Sequence, residues 1–107
     1  MNQLTDTIDK DKLIHGLTLK IFNLSTNPIN YRVLKMLPTD IKTVMSEIKV
    51  NKANANARIR KLENAGLIER GKGTGKIRST KLCACVLGLL ELIKGEVGMR
   101  LNELLEA

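Results

Sequence analysis

The chain has 107 residues with no tryptophan, one tyrosine and one phenylalanine, so its core must be aliphatic. That favours packed helices over an aromatic-rich sheet, and the length fits one domain, residues 1–107, with a modest core that self-association would enlarge. The formal net charge of +7 points to a polyanion or an anionic surface and away from a basic substrate. No stretch approaches the roughly 18 apolar residues of a membrane span, and no charged-then-apolar leader is present, so the expectation is a cytoplasmic chain with no membrane partner. Two cysteines two positions apart make no disulfide framework, which agrees with a reducing compartment.

The charge is unevenly placed. Between Lys49 and Lys81 ten Lys or Arg residues stand against Glu63 and Glu69, whereas the remainder carries eight basic and nine acidic residues. The whole excess lies in one third of the chain, which is either a solvated charged face or a surface for a polyanion.

Residues 1–9 are polar and expected to fray. From Lys10 to Leu24, residues 10–24, Leu13, Leu17, Ile21 and Leu24 recur at steps of three or four with Ile14 beside them, which is the stripe of an amphipathic helix. In "TNPIN", Asn27 is placed to cap a second helix and Pro28 to occupy its first position, where a missing N–H costs nothing. Ile29, Val33, Leu34 and Leu37 follow on one face, and Pro38 is expected to end the helix. A short third helix from about Asp40 to Lys49 carries Ile41, Val44, Met45 and Ile48, with Thr39 or Asp40 as its cap.

The next stretch, "NKANANARIRK" from Asn51 to Lys61, alternates alanine and asparagine as a half-buried strand would. Both residue types are depleted in strands, however, and Ala55, Ile59 and Leu62 are spaced by four and three. Asn51 is a good helix cap and Ala65-Gly66 a good helix stop, so this is a helix. With Ala55, Ile59 and Leu62 inward, the outward arc holds Ala53, Asn56, Ala57, Arg60, Lys61 and Asn64, with Asn54 and Arg58 on its flank. Asparagine is a poor interior helix residue, so three of them cost roughly half a kcal/mol each against alanine. Their use is chemical: an amide offers a donor and acceptor pair to an adenine edge, arginine does the same for guanine, and alanine admits close approach to a groove floor.

Two helices joined by the short "KVN" turn make a helix-turn-helix. "GLIERGKGTGKIRST" then reads as a basic β-hairpin, with strands at Leu67 to Arg70 and about Lys76 to Ser79 around a glycine-rich tip. The segment "TVMSEIKVNKANANARIRKLENAGLIERGKGTGKIRST" resembles the core of the winged helix-turn-helix regulators of the ArsR and MarR type, and "NPINYRVLKML" resembles the helix preceding that core in the ArsR type. The resemblance covers about Asn27 to Leu82, and "KLENAGLIERG" is its most specific part. It implies a mainly α fold with a small β-hairpin wing and a core at residues 27–80. It also implies that Lys52, Asn54, Asn56, Arg60 and Lys61, with Arg58 beside them, meet the major groove of double-stranded DNA, and that Arg70, Lys72, Lys76 and Arg78 on the wing meet backbone or minor groove.

Other motifs carry less. "RGKGTGKI" has only three residues between Gly71 and Gly75-Lys76, and Ile77 stands where a phosphate-binding loop needs Ser or Thr. Cys83 and Cys85 point about 200° apart on a helix, so they are poor joint metal ligands and read as buried small apolar residues. His15 is the one histidine and reads as surface or helix interface. No nucleophile is paired with a base, so no enzyme, no catalytic residue, no metal and no cofactor are expected.

The last segment, residues 81–106, carries Leu82, Val86, Leu89, Leu90, Ile93, Val97, Leu101, Leu104 and Leu105 as one stripe, with Leu87 and Leu92 as a second apolar side. One cover would be its own domain and the other a partner chain. Leu13 and Leu17 of the first helix with Leu89, Ile93, Val97, Leu101 and Leu104 are the expected dimer interface. Gly88, Gly95 and Gly98 mark close helix approach or a bend. The reading is a homodimeric, sequence-specific DNA-binding transcriptional regulator. The alternatives are an architectural or non-specific nucleic-acid-binding winged helix and a protein-interaction module of a larger complex.

Overall fold

The computed structural model describes the backbone of residues 3–106 and the side-chain burial of residues 9–106. Five helices and a small sheet follow in the order α1 (Gln3–Thr26), α2 (Pro28–Lys35), β1 (Thr39–Asp40), α3 (Ile41–Ile48), α4 (Lys52–Asn64), β2 (Ile68–Arg70), β3 (Lys76–Ser79) and α5 (Lys81–Glu106).

Helix α1 starts well before Lys10, so the expected fraying of residues 1–9 is corrected for residues 3–9, while residues 1 and 2 lie outside the described residues. Residues 3–9 contain neither glycine nor proline, and extending an existing helix is far cheaper than nucleating one. Helix α2 begins as its sequence implies: the Asn27 side chain accepts hydrogen bonds from the backbone N–H of Ile29 and Asn30, with Pro28 at the first position. It ends at Lys35, earlier than Pro38, where the Met36 N–H turns to the Val33 carbonyl. The Asp40 carboxylate caps α3 by accepting from the Thr43 N–H at 2.8 Å, and this bond to the ionised form holds its pKa below the ordinary value of about 3.8. Asn51 caps α4 in the same way, accepting from the Asn54 N–H at 2.8 Å.

The alternating stretch from Asn51 is thus helical, and Ala55, Ile59 and Leu62 are its fully buried face. Gly66, at φ +83°, reverses the chain after α4, a backbone conformation that disfavours any side chain. The sheet holds one strand more than the expected hairpin. Thr39 and Asp40 pair antiparallel with β3, giving the order β1-β3-β2 with Thr39 opposite Ile77 and Arg70 opposite Ile77 from the other side. Two residues carry no readable periodicity, and Thr39 and Asp40 also lead into a helix cap, which masks the strand in the sequence.

Val33, Leu34, Val44, Ala55, Ile59, Leu62, Leu67, Ile68, Ile77, Cys83 and Val86 form one buried cluster. Each large aliphatic member contributes about 1.5–3 kcal/mol by leaving water. This core lies between α2 and the first turns of α5, and Ile21 packs on it from the end of α1. The rest of the two long helices projects. The radius of gyration is 17.4 Å against about 13 Å for a compact chain of this length, and the longest dimension is 59 Å.

Candidate nucleic-acid interface

The α3–α4 pair forms a helix-turn-helix. Its turn is held by Lys49 in the left-handed region at φ 56° and by the Val50 N–H donating to the Met45 carbonyl. Arg32 of α2 adds an Nη2 hydrogen bond of 2.9 Å to the Glu47 carbonyl at the end of α3. These contacts set α4 on the core with its opposite face in solvent.

On that face Lys52, Asn54, Arg60 and Lys61 are exposed, with Ala53 and Ala57 between them. Asn56 and Arg58 are half-buried instead, and both make contacts within the chain. Arg58 Nη1 donates to Asn30 Oδ1 at 2.6 Å, and Arg70 Nη1 donates to Asn56 Oδ1 at 3.1 Å while its Nη2 reaches the Asn56 carbonyl at 3.3 Å. Arg70 Nε also stands 3.5 Å from the Glu63 carboxylate, an ion pair without hydrogen-bond geometry.

The wing divides by the pleat. Arg70 lies two residues after Ile68 and opposite Ile77, so it shares the inward face with two core residues and points at α4. Lys76 and Arg78 point outward with Lys72 at the tip, and Arg78 pairs with Glu69 across the strands at 3.6 Å. The exposed wing cations are therefore Lys72, Lys76 and Arg78. The period-two spacing of Ile68 and Arg70 is the signal in the sequence that separates Arg70 from them.

Sequence reasoning passed over Asn30. It is 6 % exposed on the α2 face that also buries Val33 and Leu34. Its Nδ2 donates to the Leu24 carbonyl at 3.0 Å, so one amide ties the end of α1 to α4 through Arg58. A polar residue three and four positions before two core residues was the available sign. Beside it lies a cleft of about 680 Å³, with Asn23, Thr26 and Asn27 on one wall and Asn54, Arg58 and Lys61 on the other.

Cys83 is buried, where desolvation raises its thiol pKa, but Cys85 is exposed, which corrects the reading of both as buried. Helical geometry sends the two to opposite sides. His15 is exposed on α1. Leu13, Leu17, Leu89, Ile93, Val97, Leu101 and Leu104 are all exposed in the single chain. Among the described residues nothing comes within contact distance of the Cβ position of Gly88, Gly95 or Gly98, so these glycines mark no close approach there. Among the described residues no helix is long and apolar enough to cross a membrane.

A helix-turn-helix followed by a basic hairpin on a three-stranded antiparallel sheet is a mainly α winged helix-turn-helix. Among solved structures the chain is similar to the homodimeric winged helix-turn-helix DNA-binding domain, fragment 1–100, of a possible ArsR-family transcriptional regulator from Mycobacterium bovis, solved by solution NMR. The TM-score is 0.71 at 16% identity, over 82% of this chain and 87% of that one. No protein-family model and no curated protein matches the chain.

Proposed function

We propose that the chain is a double-stranded DNA-binding protein that works as a homodimer, a transcriptional regulator of the ArsR or MarR type that occupies a specific site. The observation that carries this reading is the exposed face of α4, where Lys52, Asn54, Arg60 and Lys61 surround Ala53 and Ala57 with no carboxylate among them. Cations and amides around small residues suit entry into a major groove, and Lys72, Lys76 and Arg78 on the wing suit the adjoining backbone. The fold likeness agrees, since the similar Mycobacterium bovis domain is itself homodimeric and DNA-binding.

The dimer part rests on the two long helices. The face of α5 that carries Cys83, Val86 and Leu90 onto the core continues as Val97, Leu101 and Leu104 beyond it, and the face of α1 that carries Ile21 continues back through Leu17 and Leu13. A second copy offering the same surfaces would cover both.

A second reading, binding by charge without base readout, draws support from Asn56 and Arg58, whose polar groups are engaged within the chain. Selection of bound sites from random duplexes separates the two. A palindromic motif with half-sites about 34 Å apart is the expected result, and recovery of sequences without a motif favours the second reading. Absence of duplex binding overturns both.

A further inference from the structure

The recognition face of α4 has two flanks. On one, Asn56 and Glu63 are gripped by Arg70, which brings the wing alongside. On the other, Asn54, Arg58 and Lys61 face the turn between α1 and α2 across the cleft of about 680 Å³. From the proposed DNA binding we infer that this cleft seats the phosphodiester backbone on the edge of the major groove opposite the wing, with Asn23 and Asn27 as a second, helical counterpart of the wing.

Three observations carry this. The first is dimensional. A helix with its side chains is about 10–12 Å across and the major groove about 12 Å wide, so a helix lying in it brings one flank to each bordering strand. Whatever stands beside α4 on either flank then meets phosphate. The second is chemical. Beside Leu24, Val50 and Ala57 the cleft is lined by two cations and by the amides of Asn23, Asn27 and Asn54, with no carboxylate. Cations and amide N–H groups are donors that phosphate oxygens accept, whereas the Thr26 hydroxyl is turned back on the Phe22 carbonyl. The third is rigidity. Arg58 Nη1 is fixed on Asn30 at 2.6 Å and Asn30 is fixed on the Leu24 carbonyl at 3.0 Å. The guanidinium is therefore held at the cleft wall, and the α1–α2 turn is held at a set distance from α4.

Asn23 lies on the outer wall and is exposed, so its substitution tests the cleft without disturbing the core. The full-length chain is titrated against a fluorescein-labelled mixed-sequence duplex of about 30 base pairs between about 50 and 200 mM salt, where counterion release dominates affinity. Asn23→Lys is expected to tighten binding and steepen the salt slope by about 0.9 unit, the signature of one added phosphate contact. Asn23→Glu is expected to weaken binding about tenfold and flatten the slope by about one unit, because Arg58 and Lys61 then pair with the new carboxylate. His15→Glu makes the same charge change about 12 Å further along α1 and is expected to have a much smaller effect. Equal effects at positions 15 and 23, or an unchanged slope in both Asn23 variants while wild type binds, overturn the cleft but leave DNA binding standing. Perturbation of the Asn23 and Asn27 side-chain amide resonances by inorganic phosphate alone, with the duplex slope unmoved, assigns the cleft to a free anion and overturns the inference. Wild type that binds no duplex overturns both proposals together.

Discussion

Arg58 and Asn30, 28 residues apart, meet through one hydrogen bond of 2.6 Å that ties α4 to the first turn of α2. Asn30 is nearly buried and has its other amide atom on the Leu24 carbonyl, so neither partner is replaceable by a group that merely fills space. Removing one side strands the other's polar group. Asn30→Ala is therefore expected to cost about 1–3 kcal/mol, more than Arg58→Ala, because it also takes the donor away from the Leu24 carbonyl. A double-mutant cycle by urea denaturation is expected to show positive coupling between the two positions, and strict additivity would mean that the bond is not formed in solution.

Base readout and backbone attraction are expected to separate between α4 and the wing. Asn54→Ala or Arg60→Ala should cost about 1–3 kcal/mol on the best duplex and relax preference at particular base pairs. Lys72→Ala or Lys76→Ala should weaken binding to every duplex and lower the salt slope by about one unit per lost phosphate contact. Competition among single-base variants of the selected site measures the first, and titration across salt measures the second. Uniform losses from the α4 variants would remove their base-reading role, and an unmoved slope would take the wing off the duplex.

Leu101 is 52 % exposed in the single chain and lies beyond the core, so Leu101→Glu should fold normally. In a seam between copies the same carboxylate would be desolvated without a partner. Light scattering is expected to show a shift from dimer to monomer, with affinity for a two-half-site duplex down by roughly 100-fold as bivalency is lost. Weak, salt-sensitive binding to any duplex should persist. A dimeric variant with undiminished affinity would place the seam elsewhere.

The cap of α3 predicts a specific acid response. The folded pKa of Asp40 is lowered by the Thr43 N–H, so its stabilising contribution is complete above the ordinary value of about 3.8 and is lost as pH falls through the lower folded value. The side-chain amide introduced by Asp40→Asn would cap without titrating. Stability of the variant, followed by denaturant midpoint as pH is lowered, is expected to fall less steeply below about pH 4 than that of wild type. Parallel curves would show that the cap does not depend on charge.

How far the sequence reveals this molecule depends on the range of the interaction. Helix α4 was legible because Leu62 breaks the two-residue period that Asn51 to Ile59 suggest, and because caps act within a few residues. Strand β1 was not, since its two residues exist as a strand only through pairing with Ile77 and Lys76 far along the chain. The cationic character of the α4 face and wing was legible as well. The division between free and engaged side chains was only partly so: the pleat gives the direction of Arg70, but nothing local announces that Arg58 meets Asn30.

Thr80 alone separates the wing from α5. Its hydroxyl donates to the Gly66 carbonyl at 2.6 Å and receives the Cys83 N–H at 3.2 Å, while its own N–H reaches the Leu67 carbonyl. Helix α5 then stays on the domain through Leu90, with Lys94 Nζ donating to the Tyr31 hydroxyl of α2, and residues 95–106 project as a stiff rod clamped at one end. Such a rod is about 18 Å long, and a tilt of about 10° at the clamp moves its free end by about 3 Å. A repacking around Cys83 and Val86 too small to disturb the core is geared up along that length. The clamp is the place where a minor change in side-chain volume would re-aim everything attached to the far end of the helix.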